Sequence, residues 1–168
     1  MNHIIHNFVV YVNLGIVQSS TNAPKSRQQS HSGIPAVSRY TLDSISLRRY
    51  NLTKTWEVEV SDEFLDWYRS LLQDERTSVA ATVEMLELHG PELGRPYVDT
   101  LRGSKFPNMK ELRAQHWGRP YRILFAFDPR RNAYLILGGD KTGNKNWYID
   151  AIHRADAIYA QHLKEIGE

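Results

Sequence analysis

Three short apolar runs in hairpin order constrain this chain most: Met109–His116, Tyr121–Phe127 and Ala133–Leu137. Each has strand length and concentrates aliphatic and aromatic residues. Between the last two, Asp128-Pro129-Arg130-Arg131-Asn132 carries the Asp, Pro and Asn of a tight turn. Ile123, Leu124, Phe125, Phe127, Tyr134, Leu135, Ile136 and Leu137 can build a sheet core. Arg113, Arg119, Arg122 and Lys141 are then left to share one surface. Fixed cations on a sheet face suit a phosphate backbone better than a small neutral ligand, so nucleic acid is the first substrate class to consider.

The flanking segments supply the second layer that a sheet needs. Trp56–Val60 alternates apolar and acidic residues, the pattern of a half-buried strand. Ser61 can cap a helix whose first turn holds Asp62 and Glu63, and Phe64, Leu65, Tyr68, Leu71 and Leu72 follow at helical spacing. A second helix starts near Asp74, turns Val79, Val83, Met85 and Leu86 inward, and ends at His89-Gly90-Pro91. Tyr97–Leu101 reads as a short strand. Residues 138–146 read as a loop in which Gly138-Gly139 form a turn. A last helix from about Trp147 to Ile166 carries the stripe Ile149, Ile152, Tyr159, Leu163 and Ile166. The order β-α-α-β-β-β-α predicts an α+β fold: a small domain with two N-terminal helices and one C-terminal helix packed on one face of an antiparallel sheet. The domain spans 53–168. Residues 1–52 are rich in Ser, Asn, Gln and Pro and lack a sustained period; they read as an extension, either flexible or the product of a start placed too far upstream.

Composition excludes several classes. A chain of 168 residues fits one domain plus an extension. With no cysteine, disulfides, thiolate zinc sites and a cysteine nucleophile are ruled out. The apolar start Ile4–Val17 is interrupted by His6, Asn7 and Asn13, and no Lys or Arg precedes Lys25. Neither a membrane span nor an export signal is expected, and the expected address is cytoplasmic. The net charge of +2 hides an asymmetry: residues 1–52 stand at +4 and the remainder at −2. Within that remainder, Arg95–Arg131 holds nine Lys/Arg against Asp99, Glu111 and Asp128. A mildly acidic domain with a basic central stretch points to a local nucleic-acid site, not to general DNA coating. No cofactor or metal is expected: His3 and His6 lie in the extension, and no His/Asp/Glu group of three has ligand spacing. Walker, Rossmann, G-x-S-x-G and HExxH patterns are all missing.

The element string resembles the RelE/ParE superfamily of bacterial toxins, and its HigB-like branch, common in phage-derived genes, in particular. The elements that carry the resemblance are a basic loop before Glu111-Leu112-Arg113, the strand core Tyr121-Arg122-Ile123, an aliphatic strand running into the loop with Lys141, and a last helix with an Ile/Ala pattern. They cover residues 55–165. The resemblance implies a metal-independent endoribonuclease of a type II toxin–antitoxin system, cutting mRNA on the ribosome and inhibiting translation. It also implies a HigA-like helix-turn-helix antitoxin as partner, with DNA contacted only through that complex and no membrane. In such chemistry the 2′-hydroxyl attacks the adjacent phosphorus and the 5′-oxygen leaves. The protein must orient the hydroxyl, neutralise transition-state charge and move protons.

Carried over residue by residue, the resemblance implies Arg113, Arg122, Lys141 and Tyr148 as catalytic residues. Arg102, Lys105, Lys110, Arg119, Lys145 and Trp147 become candidates for RNA binding. Arginine suits the phosphate role because its planar fork stays charged and grips two oxygens. The bland readings are ion pairs of Arg113 or Arg122 with Glu111, a solvated Lys141, and packing of Tyr148 on the sheet. Trp117, like Trp147, can stack on bases or pack. His116 and Asp140 form the one acid/base pair near the cluster, and His153 and His162 fall on the exposed side of the last helix. RelE proper has two lysines before its aromatic-Arg motif; here Met109 and Glu111 stand in those places, with Lys110 on the other face, so the proton-transfer residue is unassigned. Two other readings stay open: a ParE-like toxin that poisons DNA gyrase by binding, and an inactive homologue that serves as a DNA-binding partner of its antitoxin.

Overall fold

The computed structural model describes residues 3–5, 56–143 and 146–168. The domain boundary expected near Thr53, nearly all of the extension, and Lys145 therefore lie outside the described residues. Six strands form one sheet in the order β1-β2-β6-β5-β4-β3. They are β1 (His3–Ile5), β2 (Val58–Val60), β3 (Val98–Thr100), β4 (Met109–His116), β5 (Arg119–Phe127) and β6 (Ala133–Asp140). Three α-helices accompany them: α1 (Asp62–Ser70), α2 (Gln73–His89) and α3 (Trp147–Glu165). β2 runs parallel to β6, and every other pairing is antiparallel.

The α+β class and the element order are as expected, but the helices do not share one face. Alternation along β5 sends Tyr121, Ile123 and Phe125 into an apolar cluster with Phe64, Tyr68, Val79, Val83 and Leu86 of α1 and α2. Leu124 and Ala126 point the other way, into a cluster with Ala151, Ala155 and Tyr159 of α3. The sheet is thus the middle of three layers. This is why β2 is buried on both sides, Glu59 included, instead of half-buried.

Local chemistry sets the elements where the sequence places them. Ser61 Oγ accepts from Phe64 N at 3.0 Å, capping α1, and donates to Ile136 O at 2.5 Å, pinning that cap to β6. The turn after β5 closes on Asp128, whose carboxylate accepts from Asn132 N at 2.9 Å. On α3 the expected stripe is shorter than drawn. Tyr159 is buried and Ile152 and Leu163 pack beside it, whereas Ile149 is 60% exposed.

Gly138 and Gly139 do not form a turn; β6 runs through both. A Cβ on Gly138 would stand 1.9 Å from Trp67 of α1, and one on Gly139 would stand 2.5 Å from Trp147 Nε1 of α3. Two adjacent residues without side chains let one indole lie on each face of the strand.

Candidate active site

The α3 face of the sheet is built from odd positions of β4 and even positions of β5. Arg113 and Arg122 are direct cross-strand partners on it. Like charges placed opposite one another repel, and Glu111, two residues back on the same face, stands between them. Its Oε1 accepts from Arg113 Nε at 2.8 Å, with Nη2 at 2.6 Å. Its Oε2 accepts from the Tyr148 hydroxyl at 2.5 Å and lies 3.8 Å from Arg122 Nε. Arg113 also donates to Asp99 Oδ2 at 2.8 Å. Lys141 places its Nζ 4.7 Å from the centre of the Tyr148 ring, a cation–π contact. Of the four residues expected to act in catalysis, Arg113, Arg122 and Tyr148 therefore meet around the Glu111 carboxylate, and Lys141 adjoins them through the Tyr148 ring.

Burial gives these charges different freedom. The Glu111 side chain is 7% exposed and that of Arg122 is 13% exposed, while Arg113 reaches 31%. Arg122 Nη1 donates to Tyr121 O at 2.9 Å, but its buried Nε has no hydrogen-bond partner among the described residues. At 3.8 Å from Glu111 it is too far for one. Arg122 thus holds a fixed charge without saturating its donors. The Tyr148 hydroxyl is pushed up from its usual pKa, first by burial and then by its bond to Glu111, so it stays a proton donor at neutral pH. The bond to Glu111 raises the Arg113 guanidinium further still.

Other expected residues divide. The loop with Arg102 and Lys105 runs along α3. Ser104 Oγ and Lys105 N donate to the two oxygens of Asp156 at 2.5 and 3.0 Å, and both cationic side chains, Arg102 and Lys105, are exposed. Trp147 is half-buried on Gly139 and meets Tyr148 edge-on, so it anchors the start of α3. Lys110 sits on the opposite face from Arg113, paired across the strands with Phe125.

Arg119 does not join the shared surface either. It donates to Glu75 Oε1 of α2 at 2.8 Å, beside Tyr121, whose hydroxyl donates to the same oxygen at 2.7 Å. Period-2 alternation carries this signal, since Arg119 and Arg122 differ by an odd number of residues. His116 and Asp140 are not an acid/base pair. His116 is held by Ser78 Oγ at 2.9 Å and Asp74 Oδ2 at 3.3 Å, while Asp140 lies 3.8 Å from Arg119.

His153 is exposed as expected, but His162 is buried: it stacks on Tyr134 at 3.7 Å and lies 3.2 Å from Asp128 Oδ2. Together with Glu59 these two make the one three-member group of possible metal ligands among the described residues. Arg130 Nη2 already bridges Glu59 and Asp128 at 2.8 and 2.7 Å, and Asn132 Nδ2 donates to Glu59 at 2.7 Å. A guanidinium stands where a metal cation would, so the group is a structural polar network.

Glu111 is the member of the cluster that sequence reasoning treated only as an ion-pair partner. Its position two residues before Arg113 placed it on the right face. The distance of Tyr148, 37 residues on, concealed its role as the hub.

Comparison with known proteins gives the family. A family model described as phage-derived protein Gp49-like matches residues 66–160, more than half of the chain. "Putative toxin HigB3" of Mycobacterium tuberculosis is 53% identical over 91 residues, covering 54% of this chain and 78% of that protein. "Putative toxin HigB2" of the same organism is 44% identical over 115 residues, covering 67% of this chain but only 57% of that longer protein. No helix among the described residues is long and apolar enough to cross a membrane.

Proposed function

We propose that this chain, which belongs to the Gp49-like, HigB-type family of phage-derived proteins, is the toxin of a type II toxin–antitoxin pair and acts as a metal-independent endoribonuclease. One observation carries the reading: Arg113, Arg122 and the Tyr148 hydroxyl converge on a single buried carboxylate, Glu111, and Lys141 lies against the Tyr148 ring. A protein that only binds a partner has no need of a carboxylate and a phenol held among three cations. Cleavage of RNA by attack of its 2′-hydroxyl can use such a set, with a base, an acid and cations around one phosphate.

The chemistry assigns itself by charge and proton position. Arg122 and Arg113 neutralise the negative charge that grows on the phosphorane oxygens, and Lys141 adds a third cation. Glu111 accepts the proton of the attacking 2′-hydroxyl. Tyr148 gives its proton to the departing 5′-oxygen, and the bond between Tyr148 and Glu111 returns that proton afterwards. The products are a 2′,3′-cyclic phosphate and a 5′-hydroxyl. Arg102 and Lys105, both exposed, would hold the flanking backbone.

The relatives' names support a toxin paired with an antitoxin, and cations at the site suit an RNA backbone. The substrate is mRNA on the ribosome, and the neutralising partner is a HigA-like antitoxin. An acidic segment of that partner would suit the cationic face, and the association should weaken as salt rises. The test is to incubate the purified full chain with end-labelled mRNA and ribosomes in the presence of a chelator, and in parallel with gyrase in a supercoiling assay. Cyclic-phosphate ends in the first assay support the reading. Intact RNA with blocked supercoiling would replace it with the gyrase-poison reading.

A further inference from the structure

The β4–β5 hairpin closes on a two-residue turn, Trp117-Gly118, between the paired residues His116 and Arg119. Both turn residues have positive φ, +48° at Trp117 and +80° at Gly118. A turn of this kind favours Asn-Gly or Asp-Gly. A bulky residue with positive φ is a steric outlier, and such strain persists only where the surroundings enforce it. Trp117 gains no burial in exchange, because it is 91% exposed. Its one described ring contact is edge-on to His116 at 6.1 Å.

The tip is nevertheless held firmly. His116 is tied to Ser78 at 2.9 Å and to Asp74 at 3.3 Å, and Arg119 to Glu75 at 2.8 Å. All three anchors lie in the first turns of α2. The hairpin thus presents a large aromatic ring to solvent from a fixed base. Trp117 lies four positions beyond Arg113, on the order of 13 Å at strand rise.

We propose that Trp117 is a stacking platform for an unpaired base of the RNA strand whose phosphate lies at Arg113 and Arg122. The proposal rests on the nuclease reading above. An exposed aromatic fixed a short distance from a phosphate site is an arrangement by which single strands are held without sequence reading. The platform positions the strand and takes no part in the chemistry. Its removal should therefore raise KM and leave kcat nearly unchanged.

The experiment measures the affinity of the full chain for a fluorescent single-stranded RNA whose central 2′-hydroxyl is replaced by hydrogen. Trp117→Ala should bind about tenfold more weakly, within the range that loss of one stacked base produces. Trp117→Phe should restore most of the affinity. Both variants should melt no lower than the parent, since the replaced ring is not packed. Equal affinity of Trp117→Ala and parent, with the parent still cleaving natural RNA, would overturn the platform and leave the nuclease reading standing. A parent that neither binds nor cleaves RNA would overturn both. Unchanged RNA affinity together with altered self-association in sedimentation would assign Trp117 to a protein contact and overturn the platform as well.

Discussion

The Tyr148 hydroxyl donates to Glu111 Oε2 at 2.5 Å, joining the first turn of α3 to the middle of β4. This bond makes the last helix part of the candidate site. Tyr148→Phe keeps the ring and the Lys141 contact but removes the proton. Cleavage should fall about 100-fold, while stability falls by about 1.5–3 kcal/mol, the range for a bond to a charged group. Single-turnover rates and a denaturant midpoint separate the two effects. Because burial and Glu111 raise the pKa of this hydroxyl, the parent should show no alkaline loss of rate due to Tyr148 below a pH of about 10.

The adjacent glycines of β6 give a paired test. Gly139→Ala would drive a methyl into the Trp147 indole and shift the start of α3, where Tyr148 sits; Gly138→Ala would do the same to Trp67 on the other face. Each should cost about 1–3 kcal/mol. Only Gly139→Ala should also lower cleavage per folded molecule, by tenfold or more, since a misplacement of roughly 1 Å at a reacting group is that costly. Equal effects of the two on cleavage would mean that α3 does not set the site.

Glu75 predicts an acid-sensitive contribution to stability. The Tyr121 hydroxyl, the Leu72 amide and Arg119 hold its carboxyl below the usual range. A carboxyl depressed in the folded state stabilises the fold above its unfolded pKa, about 4.3. That contribution is lost as pH falls through the lower folded value. The melting temperature of the parent should therefore exceed that of Glu75→Gln at pH 7. The gap should close progressively below pH of about 4.5. A gap that is constant from neutral to acid pH would show that Glu75 contributes no linkage.

The buried network around Asp128 should matter to stability alone. Asp128→Ala leaves His162 and Arg130 without their shared carboxylate and breaks the turn cap at Asn132. A loss of about 3 kcal/mol is expected, read from urea unfolding. Cleavage by the folded fraction should be unchanged.

These tests also mark where the sequence was readable. Strands β4 to β6 were legible because their apolar runs are bounded by a strong turn, Asp128–Asn132. The α1 cap was legible because Ser61, Asp62 and Glu63 stand together. The catalytic candidates were found from short motifs that hold their order along the chain. What stayed hidden depends on partners far away in sequence. His162 reads as a surface residue of a helix until Asp128 and Tyr134 close over it. Gly138-Gly139 reads as a turn because nothing local reveals two tryptophans, 67 and 147, approaching from opposite faces. The two-sided packing of the sheet was present in the near-continuous apolar run of β5, which a one-sided sheet does not require. Alternation also separates Arg119 from Arg122, a distinction that grouping the cations by proximity in sequence erased.

Arg122 carries the central claim. It is a fixed guanidinium, 13% exposed, with a donor left over beside the Glu111 carboxylate. The most direct measurement is single-turnover cleavage of programmed mRNA on ribosomes by the parent, Arg122→Ala and Arg122→Lys, with circular dichroism as the folding control. The account predicts a loss of about 100-fold or more for Arg122→Ala. It predicts only partial recovery in Arg122→Lys, because an ammonium cannot make the forked contact. Parental cleavage by a well-folded Arg122→Ala protein would contradict it.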